Sequence, residues 1–201
     1  MTTLTTPEAL RPLYEPVRER SAAKELQALD VHATRFIGLS PFVVVASGGV
    51  DGMDASPRGG SPGFVKVLDA HTLLIPDSPG NNRLDTLQNI IHTPQVGLLF
   101  LVPGVDETLR VNGAAVLSVD DAERELCKDE RRVPKLVIRV TVQASYLHCA
   151  KALMRSHLWD SSHHVERNVM PSMGEMLRDQ IGGDMVAETQ AQMVARYAAD
   201  L

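Results

Sequence analysis

The chain is 201 residues long, 44% apolar and 22% charged, and its 20 basic and 25 acidic residues leave a net charge of −5. These are the proportions of a folded protein with a real core, and the acidic balance offers no basic stripe for nucleic acid or a membrane surface, so any bound anion has to be held by local Arg or Lys. Two cysteines, Cys127 and Cys149, cannot make a disulfide framework and read as reduced cytoplasmic thiols; residues 1–10 lack the pattern of a secretory leader, and the longest apolar run, 96–102, falls far short of the roughly 20 residues that cross a bilayer.

In chain order, residues 16–29 have rough helical spacing (Val17, Ala22, Ala23, Leu26, Leu29) with charges on the other face, and a second helix is expected over 31–39, ended by Pro41. The character then changes. Residues 42–47 are a β-branched run, residues 48–52 are turn chemistry, and 53–56 can return antiparallel. Two further hairpins are expected, 64–68 with 72–75 and 96–102 with 108–119, and 135–142 is a last strong strand. Short strands at close spacing with tight turns favour an antiparallel barrel over βαβ units. Helices are expected over 82–92, with Leu84, Leu87 and Ile91 on one face, and over 120–128, which opens on an Asp120-x-x-Glu123 cap. The last third is helical again: 149–158, then 172–181 with a Ser172-x-x-Glu175 capping box and a Gly182-Gly183 stop, then about 184–197. The whole is expected to be one α+β unit: N-terminal helices to residue 40, a barrel over 41–145, and a helical extension over 146–201.

Three segments carry candidate chemistry. Residues 54–63 combine Gly, Pro and Ser with a single Arg58. They read either as a long surface loop or as an anion site, since a guanidinium offers a fixed fork of donors and glycines let backbone N–H groups come close. Residues 76–85 leave a strand and open a helix that Asn81 or Asn82 can cap. Arg83 there lies in the first turn, where a cation opposes the helix dipole; it reads either as a phosphate ligand or as an exposed Arg paired with Asp77 or Asp85. In the third segment, His148, Lys151, Arg155 and Trp159 fall on one stripe of a helix. That stripe is either a solvated basic face or a surface for a flat anion. His148, Cys149, His157, His163 and His164 are close in sequence, but they lack the spacing of a metalloprotease helix and no second Cys pair exists, so no metal site is expected. Walker A, G-x-S-x-G and G-x-G-x-x-G motifs are absent.

An ordered set of motifs resembles the pyridoxamine 5′-phosphate oxidase-like flavin-binding proteins, and within them the bacterial FMN-dependent branch of unassigned substrate. The set comprises Ser56-Pro57-Arg58-Gly59, Phe64, Leu73-Leu74-Ile75-Pro76-Asp77, Gly80-Asn81-Asn82-Arg83-Leu84-Asp85, Asn89, Pro94-Gln95-Val96-Gly97-Leu98-Leu99-Phe100, Pro103-Gly104 and Thr108-Leu109-Arg110-Val111-Asn112-Gly113. The tail motif His148-Cys149-x-Lys151-Ala152-x-x-Arg155-Ser156-x-Leu158-Trp159 is similar to that branch as well. The resemblance covers about residues 36–159.

It implies a six-stranded split β-barrel that forms a homodimer, with FMN in grooves at the subunit interface. It further implies that Arg58 and Arg83 clamp the FMN phosphate, helped by Asn82 and a helix N-terminus. Ser56 and Pro57 then run beside the flavin and Thr108 lies near its ring. Lys151, Arg155, Ser156 and Trp159 come from the partner subunit or the pocket mouth. One departure bears on the substrate: Arg155-Ser156-His157 precedes Trp159, whereas the oxidase itself carries its Trp before an Arg-x-His, which argues against pyridoxamine phosphate. The implied activity is an FMN-dependent oxidoreductase acting on a small molecule, with the flavin carrying hydride or electrons. The rival readings are a flavin-binding carrier or sensor without turnover, or a split barrel that uses F420 or haem. Catalytic residues and the electron donor are not legible in the sequence.

Overall fold

The computed structural model describes residues 3–50, 52–183 and 186–198. Three helices come first: α1 (Pro7–Leu10), α2 (Glu19–Ala23) and α3 (Val31–Leu39). The helix expected over 16–29 is cut down to α2. Beyond it the chain is extended, because Leu26 pairs with Ser145 through two backbone hydrogen bonds of 3.0 and 2.7 Å, and Ala28 accepts the Ser145 hydroxyl at 2.7 Å. Helix propensity is a weak preference, and hydrogen bonding to a neighbouring strand overrides it. By contrast α3 forms as expected. Asp30 caps it by accepting the Ala33 N–H at 2.7 Å, and Ala33 and Ile37, one turn apart, enter the core.

The strands are β1 (Phe42–Gly49), β2 (Gly52–Gly59), β3 (Lys66–Asp69), β4 (Thr72–Pro76), β5 (Gln95–Leu101), β6 (Thr108–Ser118) and β7 (Val137–His148). They form one antiparallel sheet in the order β2-β1-β5-β6-β7-β4-β3, the sheet of a split β-barrel. It has seven strands, not the six expected. The segment 54–63, weighed as a surface loop, is strand as far as Gly59, because β2 stays in register with β1 from Gly52↔Gly49 to Gly59↔Phe42. The turn between them includes Asp51, which lies outside the described residues.

Alternation along β1 and β5 sends Val43, Val45, Val96, Leu98 and Phe100 inward. Leu109 and Val111 of β6 and Ile138 and Val140 of β7 join them in one core. The long β6–β7 ribbon shifts register between Asn112 and Gly113. A Cβ on Gly113 would run into the Thr141 carbonyl, so only glycine lets the two backbones approach there.

Between β4 and β5 runs α4 (Asp85–His92), which packs on β1 and β2 with Thr86, Leu87 and Ile90 buried. The face expected from the sequence is rotated: Leu84 and Ile91 are exposed, because the helix starts at Asp85, after a left-handed turn. Between β6 and β7 lies α5 (Asp121–Leu126), capped by Asp120. The tail holds α6 (Lys151–Ser156), α7 (Met173–Ile181) and α8 (Gln190–Tyr197). The Ser172–Glu175 capping box is present in both directions, and Gly182 ends α7 at φ +76°. The expected start of the last helix at Asp184 falls outside the described residues. Among the described residues, no helix is long and apolar enough to cross a membrane.

Candidate functional site

Strand periodicity puts Asp54, Ser56 and Arg58 on one face of β2, partly shielded, while Ala55 and Pro57 face outward. The shielding element is the start of α4. The Ser56 hydroxyl donates to the Asp54 carboxylate at 3.0 Å, and the buried Thr86 hydroxyl donates to Asp54 Oδ2 at 2.5 Å. Arg58 Nη2 reaches Thr86 Oγ1 at 3.5 Å and Nη1 donates to the Pro57 carbonyl at 3.2 Å, whereas Arg58 Nε is buried with no hydrogen-bond partner. A buried guanidinium N–H left unpaired is costly, which sets Arg58 apart from the paired donors around it. One turn further along α4, Asn89 Nδ2 donates to Ser47 Oγ at 3.1 Å and ties the helix to β1.

The approach to α4 departs from the expected cap. Asn81 Oδ1 accepts the Arg83 N–H at 3.0 Å and closes a turn ahead of the helix. Asn82 (φ +57°) and Leu84 (φ +63°) are left-handed, and Leu84 stands at the cap position, where no side chain bonds the first N–H groups. Neither asparagine therefore caps α4, and Arg83 precedes the helix instead of lying in its first turn. A left-handed leucine costs about 1 kcal/mol or more, which the surrounding turn must over-determine. Arg83 is exposed and its Nε pairs with Asp85 at 2.8 Å, the alternative left open by the sequence. Asp85 first, and more weakly Asp54, strengthen its hold on its proton. Asp54 thus lies within reach of both arginines: Arg58 through Thr86, Arg83 through its field.

The remaining candidates form a second group. Thr108 is buried at the start of β6, opposite His148 in register. Trp159 is half-buried and its Nε1 donates to the Val105 carbonyl at 3.0 Å, which seats it on the β5–β6 connection. Lys151, Arg155 and Ser156 are exposed on α6, where the Ser156 hydroxyl bonds back to the Leu153 carbonyl at 3.0 Å. The expected single stripe is broken up, since His148 still belongs to β7 and Trp159 lies past the end of α6. Burial, then Arg110 and Lys24, hold His148 below the ordinary imidazole range. Among the described residues no hydrogen bond or ion pair joins this group to Arg58 or Arg83.

A groove of about 1250 Å³ opens beside the first group, between the chain after β2, the chain after β4, the 125–134 segment and the end of α8. Asp77 lines it. Burial raises the Asp77 carboxyl above the usual carboxylate range, and Arg58 and Lys135 pull it partly back. Arg58 therefore acts on both the Asp54–Thr86 pair and the groove wall. Arg196 and Tyr197 of α8 form part of the opposite wall, so the C-terminal extension borders this groove.

The family model described as pyridoxamine 5′-phosphate oxidase matches residues 29–149, well over half of the chain and the whole of the sheet. The chain belongs to the pyridoxamine 5′-phosphate oxidase family. No curated protein matches it. Among solved structures, HupZ of Group A Streptococcus aligns at TM-score 0.50 with 16% identity, covering 59% of this chain and 93% of that one. General Stress Protein 26 of Bacillus anthracis aligns at 0.42 with 14% identity over 58% and 94% of the two chains. An FMN-binding protein of Syntrophomonas wolfei aligns at 0.45 with 8% identity over 59% and 86%. At such identities the HupZ likeness bears on the fold alone.

Two residues of the first group, Asp54 and Thr86, were not candidates from the sequence. For Asp54 a signal existed: Asp54, Ser56 and Arg58 recur with period two, as side chains on one strand face do. Thr86 carried none, because it reads as an ordinary first-turn helix residue until α4 is laid on β2.

Proposed function

We propose that this protein binds FMN and uses it as an oxidoreductase on a small molecule, with the phosphate held where β2 meets the start of α4. The observation that carries this reading is Arg58, whose buried Nε has no partner among the described residues, beside a helix start that no side chain caps. Free N–H groups at a helix start and an unsatisfied guanidinium donor together suit a phosphate. Asn82 and Arg83 stand at the mouth of this cradle, and Arg83 exchanges Asp85 for the phosphate. Ser56 and Thr86 hold the Asp54 side chain in place by hydrogen bonds. Pro57 faces away from the cradle and fits a contact along the outer face of β2. Thr108, Lys151, Arg155, Ser156 and Trp159 suit the flavin ring of a second site contributed across a homodimer, since among the described residues no hydrogen bond or ion pair links them to Arg58. When bound, the flavin supplies hydride or electron transfer; the chain supplies binding and orientation.

The test is titration of the purified, untagged chain with FMN, followed by flavin fluorescence, together with the mass and spectrum of any molecule that copurifies. Arg58→Ala is expected to weaken FMN binding by roughly tenfold to a hundredfold, the loss of a charge-assisted hydrogen bond of about 1.5–3 kcal/mol, and Arg58→Ala with Arg83→Ala to abolish retention. Unchanged affinity in the double variant, or no FMN binding by the parent chain, overturns the reading. Anaerobic addition of NADH or NADPH then bleaches the flavin if the protein turns over; a flavin that binds but is reduced by neither donor favours a carrier or sensor. A Soret band in the isolated protein points to haem instead.

A further inference from the structure

The sequence carries no recognisable metal motif, yet the structure gathers His157, Asp160 and His163 so that one donor atom of each lies within 4.8 Å of the others. Local geometry brings them together. The Asp160 N–H donates to the His157 carbonyl and the His163 N–H to the Asp160 carbonyl, both at 3.0 Å, so two successive three-residue turns follow the end of α6. Only the second of these turns is a 3-10 turn, over Ser161–His163, with Asp160 extended at its start, so irregular backbone brings the three side chains together. His157 lies in the left-handed region at φ +50°, an uncommon state for a residue with a Cβ. The two imidazoles stack with centroids 4.3 Å apart and planes within 5° of parallel.

The carboxylate between them divides its work. Asp160 Oδ1 accepts the Ser162 N–H at 2.9 Å and the Ser162 hydroxyl at 2.7 Å, while Oδ2 is turned toward His163 Nδ1 at 3.4 Å. One oxygen is thus anchored by Ser162 in the way outer partners orient a metal ligand, and the other, which faces His163, would turn to the ion together with that ring.

We propose that His157, Asp160 and His163 form a binding site for a borderline divalent transition metal, with zinc as the occupant its chemistry favours. Two imidazole nitrogens and one carboxylate oxygen are a zinc donor set with a fourth position open to water. Ligands of tetrahedral zinc lie about 3.3 Å apart for metal–nitrogen distances of about 2.0–2.1 Å, and rotation of three exposed side chains covers the remaining difference. The ion would lock the turn that carries Trp159 and so its hydrogen bond to the β5–β6 connection. The proposal is independent of the flavin reading.

Calorimetric titration of the untagged, chelator-treated full chain with Zn²⁺ tests it, with Co²⁺ as a second probe through its visible absorption and its quenching of Trp159, the only tryptophan. One ion per chain is expected. His157→Ala with His163→Ala is expected to lower affinity at least tenfold and to remove the tetrahedral Co²⁺ spectrum. Asp160→Asn is expected to weaken binding, and His164→Ala, at a neighbouring exposed histidine outside the cluster, to leave it unchanged. The proposal fails if no saturable one-to-one binding is seen, if the double variant binds as the parent does, or if His164→Ala costs as much as the double variant.

Discussion

The barrel and the helical tail are built on opposite principles. In the barrel, Ile37, Val43, Val45, Leu73, Ile75, Phe100, Leu109, Val111, Ile138 and Val140 have no exposed surface. In the tail, α6 and α8 bury no residue and α7 buries only Gly174, while Met154, Met173, Leu177, Ile181 and Val194 stay exposed. The tail is instead organised by polar contacts. Ser172 Oγ donates to the Glu188 carbonyl at 3.2 Å, Arg167 reaches Gln190 at 3.1 Å, and Arg196 pairs with Glu188 at 2.8 Å. Gly174 packs so closely on Glu188 that a Cβ would meet its backbone. Burial of apolar area gives about 1.5–3 kcal/mol per large side chain, whereas exposed ion pairs give about 0–1, so stability resides in the sheet.

Three experiments test this contrast. Phe100→Ala, at the centre of the barrel, is expected to cost about 3–5 kcal/mol in denaturant unfolding, and a loss under 1 kcal/mol would show the core to be elsewhere. The two thiols, one on each side of the divide, should differ next most. Cys127 is packed against Leu74 and Val137, and burial pushes its thiol up to about 11, whereas Cys149 at the end of β7 is exposed. At mildly alkaline pH Cys127 holds about a hundredfold less thiolate than an ordinary cysteine. A thiol reagent is therefore expected to modify Cys149 quickly and Cys127 only on unfolding; equal rates would mean that the segment over Cys127 opens freely. Smallest, Gly174→Ala is expected to change global unfolding by less than about 1 kcal/mol while speeding limited proteolysis after residue 160, because it separates α7 from α8 and leaves the sheet intact. A global loss as large as that of Phe100→Ala would show the tail to be part of the cooperative unit.

Much of the barrel was legible because its signals are local. Alternating β-branched residues, hairpin turns and the Asp120 and Ser172 caps depend on neighbours a few residues away, and each appears where the sequence places it. Arg58 was singled out in the sequence as a candidate anion ligand, and the structure places it beside Thr86. What the sequence alone did not decide depends on packing across the chain. Leu26 leaves a helical pattern to bond Ser145, Leu84 turns left-handed and shifts the start of α4, Thr86 becomes a partner of Asp54 and Arg58, and His157 and His163 meet through a pair of tight turns. Residues far apart or on irregular backbone are brought together by hydrogen bonds and sterics that no periodicity encodes, which is why the sheet could be read in advance and the seating of its site could not.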